Sequence, residues 1–262
     1  MERELATGLI ILILAIAAIP AALFISTQKT DITSIIDWAI PQIPGEGILV
    51  KQETINRSEY PRLKKVVLNL RGTNGVIYVS EGYGYIARFE AYKGRGIIPF
   101  DLDSYKADIS KSYNETTRTL SIYIDASNVI LKIYLDPTLA SEISINQANG
   151  ALELSLDSLI NTDLRIEGLN TVIRLDLGYA RVDNVSWNIG ITNGIAKVNI
   201  TTPTEIDMNI EGSVLNGLAE LNLYGTINKY SINEQVRLYA PTDRSLTFRV
   251  QNGNIVINLS TG

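Results

Sequence analysis

From Asn74 to the carboxyl end, apolar residues recur on alternate positions in short runs, and an asparagine marks the break between runs. Asn193 opens NGIAKVNI and Asn216 opens NGLAELNL, so the residues three, five and seven positions later are Ala196, Val198 and Ile200, then Ala219, Leu221 and Leu223. The same frame fits Asn74, Asn128, Asn149, Asn170 and Asn252. Six and four residues before each asparagine lies a second apolar pair, from Leu68 and Leu70 in the first copy to Leu246 and Phe248 in the last. Over seven copies and these five positions, 33 of 35 residues are apolar, the exceptions being Glu81 and Gly212, whereas a 45% apolar composition gives about 16. Alternation with period two belongs to half-buried strands. Each unit therefore predicts strand, asparagine turn, strand and a polar connection such as DPTLASE or TTPTEIDM. Two residues before the turn the pattern is looser, with Gly72, Ala126, Gln147, Gly168, Ile191, Val214 and Val250.

Five copies, from Asn128 to Asn216, follow one another at 21, 21, 23 and 23 residues, which is tandem repetition. Leucine-rich, TPR and ankyrin repeats are excluded because their helical halves are missing. Two all-β architectures fit the unit. In an antiparallel meander sandwich, Asn-Gly is a favoured two-residue hairpin turn and inward positions fall symmetrically about it. In a β-solenoid or β-helix, the asparagine is a corner and identical positions stack about 4.8 Å apart in neighbouring coils. Both are open on pattern alone, with the looser position before the turn leaning toward a corner.

The series SIYIDASNVILKIYLDPTLASEISINQANGALELSL, Ser121 to Leu156, resembles the toastrack-type adhesin domains, whose repeats carry a strand, a small turn and another strand, often after a Pro-containing polar loop like DPTL. The similarity runs roughly from Val66 to Leu259 and is one of pattern. It implies a single-stranded right-handed β-helix, frequently attached to a membrane segment, and brings no catalytic motif. The tyrosine-rich stretch before Asn128 and the insertion between Asn216 and Asn252 depart from that pattern.

Leu5 to Ile25 is 21 residues without a charge, and as a helix it spans roughly 31 Å at about 1.5 Å per residue, enough for a bilayer. It predicts an anchor at residues 1–28; the competing reading is a cleaved signal peptide with Ala15-Ile16-Ala17 as the cleavage triplet. Residues 29–55 read as a juxtamembrane helix, with Ile32, Ile35, Ile36 and Ile40 on one face, and a Pro/Gly linker beginning PQIPGEG; residues 56–262 read as the β-repeat domain. Five Asn-x-Ser/Thr sequons, at Asn56, Asn114, Asn184, Asn199 and Asn258, favour an extracytoplasmic place for that domain and are candidate N-glycosylation sites. The expected location is the cell membrane, single-pass with the carboxyl-terminal domain outside, or secretion if the amino terminus is cleaved.

Composition narrows the chemistry. Cysteine and histidine are absent, which removes disulfides, most zinc sites and every catalytic arrangement built on an imidazole. Asn56 to Lys111 is the one basic segment, with ten cations against six anions, too weak for a nucleic-acid footprint. Arginine-x-acid recurs at Arg165 and Glu167, Arg174 and Asp176, and Arg181 and Asp183. A calcium- and polysaccharide-binding groove is one use of that pattern and cross-strand ion pairing on a solvated face is the other. GYGY at Gly82 and KGRG at Lys93 read as hairpin glycines. Tyr83, Tyr85, Arg88, Tyr92, Lys93 and Arg95 form the basic, aromatic region, a candidate surface for acidic glycans or a partner protein, or else a cap over the first coil. The sequence thus predicts a cell-surface β-repeat protein with a structural, adhesive or binding role, with no catalysis and no cofactor. Its expected partners are the bilayer, surface glycans or envelope proteins, and copies of itself. The alternatives are a subunit of an extracellular filament, joined through its apolar amino terminus or a sheet edge, and a polysaccharide-active β-helix enzyme.

Overall fold

A computed structural model describes residues 47–94 and 105–262. The expected anchor at Leu5–Ile25, the helix at Asp31–Ile40 and Arg95 lie outside these residues. Among the described residues no helix is long and apolar enough to cross a membrane, and the helical element they contain is a single 3-10 turn, Arg57–Glu59.

The protein is all-β. Its strands are β1 (Gly47–Ile55), β2 (Lys65–Glu81), β3 (Ala87–Gly94), β4 (Lys106–Asn114), β5 (Thr119–Ser127), β6 (Ile130–Leu135), β7 (Ala140–Ile160), β8 (Asp163–Arg181), β9 (Ser186–Thr202), β10 (Asn209–Leu223), β11 (Thr226–Tyr230), β12 (Glu234–Leu238) and β13 (Ser245–Thr261). All belong to one mixed sheet. β1 occupies residues that the sequence pattern leaves to the linker. It is an edge strand, paired antiparallel to β3 on one side, so no strict alternation is imposed on it.

The repeat units stack in parallel with equivalent positions in register: Asn193 lies beside Asn252, Asn252 beside Asn216, and Leu164 beside Trp187, which lies beside Leu246. Side chains from inward positions form continuous rows from coil to coil, and one core runs through the stack. The parity of the alternation changes at each asparagine, from even positions before it to odd positions after it. The cause is a residue in the left-handed region, where the chain turns without reversing. Asn74, Asn128, Asn149 and Asn170 adopt φ between 52° and 56°, a conformation that asparagine tolerates better than most residues. In the copies at Asn193, Asn216 and Asn252 the following glycine takes the positive φ instead, at 155°, 150° and 154° for Gly194, Gly217 and Gly253. The asparagine side chains then bond from coil to coil: Nδ2 of Asn149, Asn170, Asn193, Asn252 and Asn216 donates in turn to Oδ1 of Asn74, Asn149, Asn170, Asn193 and Asn252, at 2.8–3.1 Å. Ladders of this kind add directional order to a stack that hydrophobic burial alone would let slide.

The order of coils in space is not the order in the chain. β2 lies between β5 and β6 on one side and β7 on the other, and β13 is inserted between β9 and β10. The insertion between Asn216 and Asn252 makes the second exchange feasible. It forms β11 and β12, which pair antiparallel to the outer edge of β10, and the chain then returns to place β13 inside. At the other end β3 and β1 extend the sheet antiparallel from β6, and β4 covers β5. Antiparallel strands therefore cap both ends of the parallel stack, a cover that repeat stacks need.

The irregular core positions are explained by their neighbours across the stack. Gln147, fully buried, lies beside Gly72 and Gly168 on adjacent strands and donates Nε2 to Gly75 O at 3.0 Å. A Cβ at Gly72 would come within 1.9 Å of Gln147 Oε1, so the long side chain occupies room that the glycine leaves. Gly212 does the same for Phe248, whose ring carbons would lie 2.1 Å from an added Cβ. Glu81 stays half-buried and accepts the Asp157 amide at 2.6 Å and the Tyr83 hydroxyl. Trp187, the largest fully buried side chain, donates Nε1 to Tyr179 Oη at 2.9 Å, and Tyr179 donates to Thr162 O at 2.9 Å. Burial pushes the Tyr179 phenol far up from its ordinary pKa, keeping it a donor.

Candidate binding groove

Because inward rows are apolar, chemistry is confined to outward rows, which run across strands about 4.8 Å apart. Two such rows meet on the face made by β3, β6, β2 and β7. One carries Glu90, Lys132, Tyr78 and Glu153, each beside the next, and the second carries Arg88, Tyr134, Ser80 and Ser155. The second row falls from large side chains to small ones, leaving a depression of about 400 Å³ whose lining includes Tyr78, Ser80, Lys132, Tyr134, Glu153 and Ser155.

The charges here are paired. Arg88 bonds Glu90 and lies over the Tyr134 ring at 6.0 Å, and Lys132 lies over the Tyr92 ring at 5.1 Å. Tyr92 donates its hydroxyl to Glu90 Oε2 at 2.6 Å. That bond from Tyr92, with Arg88 adding to it, holds the Glu90 carboxyl below its usual range although burial acts against it. The same bond pushes Tyr92 up to about 12. Burial raises Tyr78, with the Glu153 carboxylate adding to it, and burial likewise raises Tyr134, with Glu90 adding to it. At neutral pH the three phenols are therefore uncharged, and Glu90 is ionised.

Of the residues expected to form the basic, aromatic surface, Arg88 and Tyr92 lie at this groove. Lys93, one residue on, projects to the opposite face of β3, as strand alternation requires. Tyr85 packs against Gly82 near Tyr134. Tyr83 is 69% exposed on the turn between β2 and β3, its hydroxyl bonded to Glu81. Tyr78 stands in the same basic, aromatic stretch of the sequence, whereas Lys132, Tyr134 and Glu153 come from later repeat copies. Their signal was present in the frame: they stand four or six residues after Asn74, Asn128 and Asn149, on outward positions that stacking brings together.

The other candidates fall elsewhere. Arg174 pairs with Asp176 at 2.6 Å and Arg181 with Asp183, whereas Glu167 reaches Arg249 at 3.6 Å across Gly190, which has no side chain to intervene. Among the described residues no group of three or more acidic side chains is placed to hold a metal ion. Asn56, Asn114 and Asn184 are exposed on turns or strand ends. Asn199 and Asn258 point outward but stand side by side, Asn258 Nδ2 donating to Asn199 Oδ1 at 2.8 Å. A second depression, of about 260 Å³, lies on the other outward face between Arg71, Asp108, Tyr123, Asp125 and Ser144.

No family model matches the chain, and no curated protein matches it in sequence. Its structure is similar to the crystal structure of a "putative cell adhesion protein" from Clostridium sporogenes, with a TM-score of 0.53 and 17% identity over 81% of this chain and 98% of that one. At that identity the likeness establishes a shared all-β fold.

Proposed function

We propose that this chain is a membrane-anchored, cell-surface β-solenoid of the toastrack type, with an adhesive or structural role and a binding function in place of catalysis. The carrying observation is the division of labour across each strand: inward rows build one core, and outward rows are left to form the groove of Tyr78, Tyr134 and Glu153. The cell-adhesion description of the Clostridium sporogenes protein supports this reading, as do the apolar segment Leu5–Ile25 and the exposed sequons at Asn56, Asn114 and Asn184. Protease shaving of intact cells tests it: fragments from residues 56–262 are expected in the released peptides. Survival of the domain under conditions that strip known surface proteins would overturn the proposal.

Self-association is a second reading, favoured by apolar side chains at both capped ends. Ile48 and Leu49 on β1 are 53% and 46% exposed, and Ile227 and Ile232 in the segment of β11 and β12 along the edge of β10 are 56% and 59% exposed. Edge strands with uncovered apolar residues invite head-to-tail pairing. Sizing of the full chain in mild detergent decides, a stable monomer counting against it.

A further inference from the structure

We infer that the groove between β6 and β7 binds an uncharged, hydroxyl-rich saccharide chain, an assignment that rests on the binding role proposed above and names its ligand class. Shape comes first. A depression of about 400 Å³ is within the range of small-ligand sites, and its contour follows from residue size: Ser80 and Ser155 lie beside Tyr134 in one row, with Tyr78 and Glu153 beside them in the next. Pyranose rings need an apolar surface for their C–H faces and donors and acceptors for the hydroxyls around their rims. Tyr78 and Tyr134 supply the first, and Ser80, Ser155, Glu153 and Lys132 the second.

Charge excludes the anionic sugars that a basic, aromatic stretch suggests. Arg88 is occupied by Glu90, Arg57 by Asp136, and Lys132 by the Tyr92 ring. On the two groove rows Glu90, Glu153 and Asp176 stand against Arg88, Lys132 and Arg174, the last paired with Asp176. A uronate, sulfate or phosphate group would find these cations already engaged and carboxylates beside them. Hydroxyl groups, by contrast, find carboxylate acceptors without adding charge.

The surface also accounts for a chain in place of a single sugar. Beyond Ser155 the row continues as Asp176, Asn199, Asn258 and Asn222, one polar side chain per strand. A linear oligosaccharide laid across the strands meets a hydroxyl, carboxylate or amide at each step. Affinity therefore grows with the number of sugar units.

The test uses the full chain in detergent, made in a host without N-glycosylation, with neutral hexose oligomers of increasing length and the corresponding uronate oligomers as probes. Saturation-transfer NMR and calorimetry are expected to show binding of the neutral series, tightening with length. Tyr134→Ala lowers affinity by at least about tenfold, and Ser155→Trp, which fills the depression, abolishes binding. The control Ser144→Trp, on the other outward face, leaves it unchanged, and circular dichroism melts confirm that all three variants fold. Preference for uronates, no binding of the neutral series, or neutral binding unaffected by Ser155→Trp overturns the inference. Sugar binding by a domain that resists shaving on cells would leave the inference intact and remove the cell-surface reading. Adhesion by cells that is unaltered in Ser155→Trp, with no sugar bound in solution, would do the reverse.

Discussion

Phe248 and Arg249 are neighbours in β13, yet they belong to two regions under opposite constraints. Phe248 is 1% exposed in an inward row, its ring filling the space over Gly212. Arg249 is outward and reaches Glu167 across Gly190, with more than half of its side chain in solvent. Every coil repeats this contrast. Inward rows vary little, because a side chain there must fit the residues above and below it. Outward rows change from Tyr134 and Ser80 at one end to Asn199, Asn258 and Asn222 at the other. The stack thus fixes where strands go without fixing what they present, and the groove forms at the end where large and small outward residues adjoin.

The largest expected effect separates the two regions directly. Phe248→Ala should cost about 3–5 kcal/mol of unfolding free energy, whereas Arg249→Ala should cost under about 1 kcal/mol, its ion pair being screened by water. Urea titrations at neutral pH measure both, and equal losses would erase the distinction. Next, Gly212→Ala should cost about 1–3 kcal/mol by pressing a methyl group into the Phe248 ring. Adding Phe248→Leu should recover part of that loss, a coupling that two independent sites would not show.

Corners lie between the regions and give intermediate effects. Asn170→Ala should lose about 1–2 kcal/mol, since alanine adopts φ near 53° poorly and the ladder bonds to Asn149 and Asn193 disappear. Asn170→Gly restores the conformational freedom without the bonds, so it should fall between wild type and alanine. The smallest effect belongs to the groove. The contribution of Glu90 is present above about pH 4.5, its ordinary value, and is lost as pH falls through its lower folded value. Tyr92→Phe removes the main cause of that shift, so the stability difference between pH 7 and pH 3 should narrow. On the alkaline side, the contribution of Tyr92 is present below pH 10 and lost as pH rises toward about 12, a slope that the variant should lack. Carboxyl NMR titration of Glu90, together with melts across pH, checks both signs.

Much of the inward region was legible in the sequence. The positions that form the core rows are those that the asparagine frame marks as apolar, and both exceptions have local reasons, Gly212 beneath Phe248 and Glu81 at a turn. The choice of parallel stacking over antiparallel hairpins was not legible, because apolar alternation satisfies both. Coil order was hidden for a related reason. Leu68, Leu164 and Leu246 present nearly the same inward face, so any copy can lie beside any other, and connection length decides. The groove was half visible. Arg88 and Tyr92 stood out as a local basic, aromatic run, but Tyr134, Lys132 and Glu153 join them only through register. Glu167 pairs across strands, as one reading of the arginine-x-acid pattern expects, but its cation, Arg249, lies 82 residues away and two strands across the sheet, a partner only register supplies.

The insertion of β13 between β9 and β10 has a consequence for the timing of assembly. A ribosome that has delivered β9 and β10 has delivered two strands that are linked only when the seventeen residues of β13 arrive between them. Until then each holds a ladder edge open, and the rows through Trp187 and Ile210 lack the Leu246 that links them. β13 is thus a keystone, and a chain that lacks this strand is expected to be proteolytically labile at β9 and β10 as well. Two strands made earlier thus wait on a third, made after both, before either gains its neighbour on that edge.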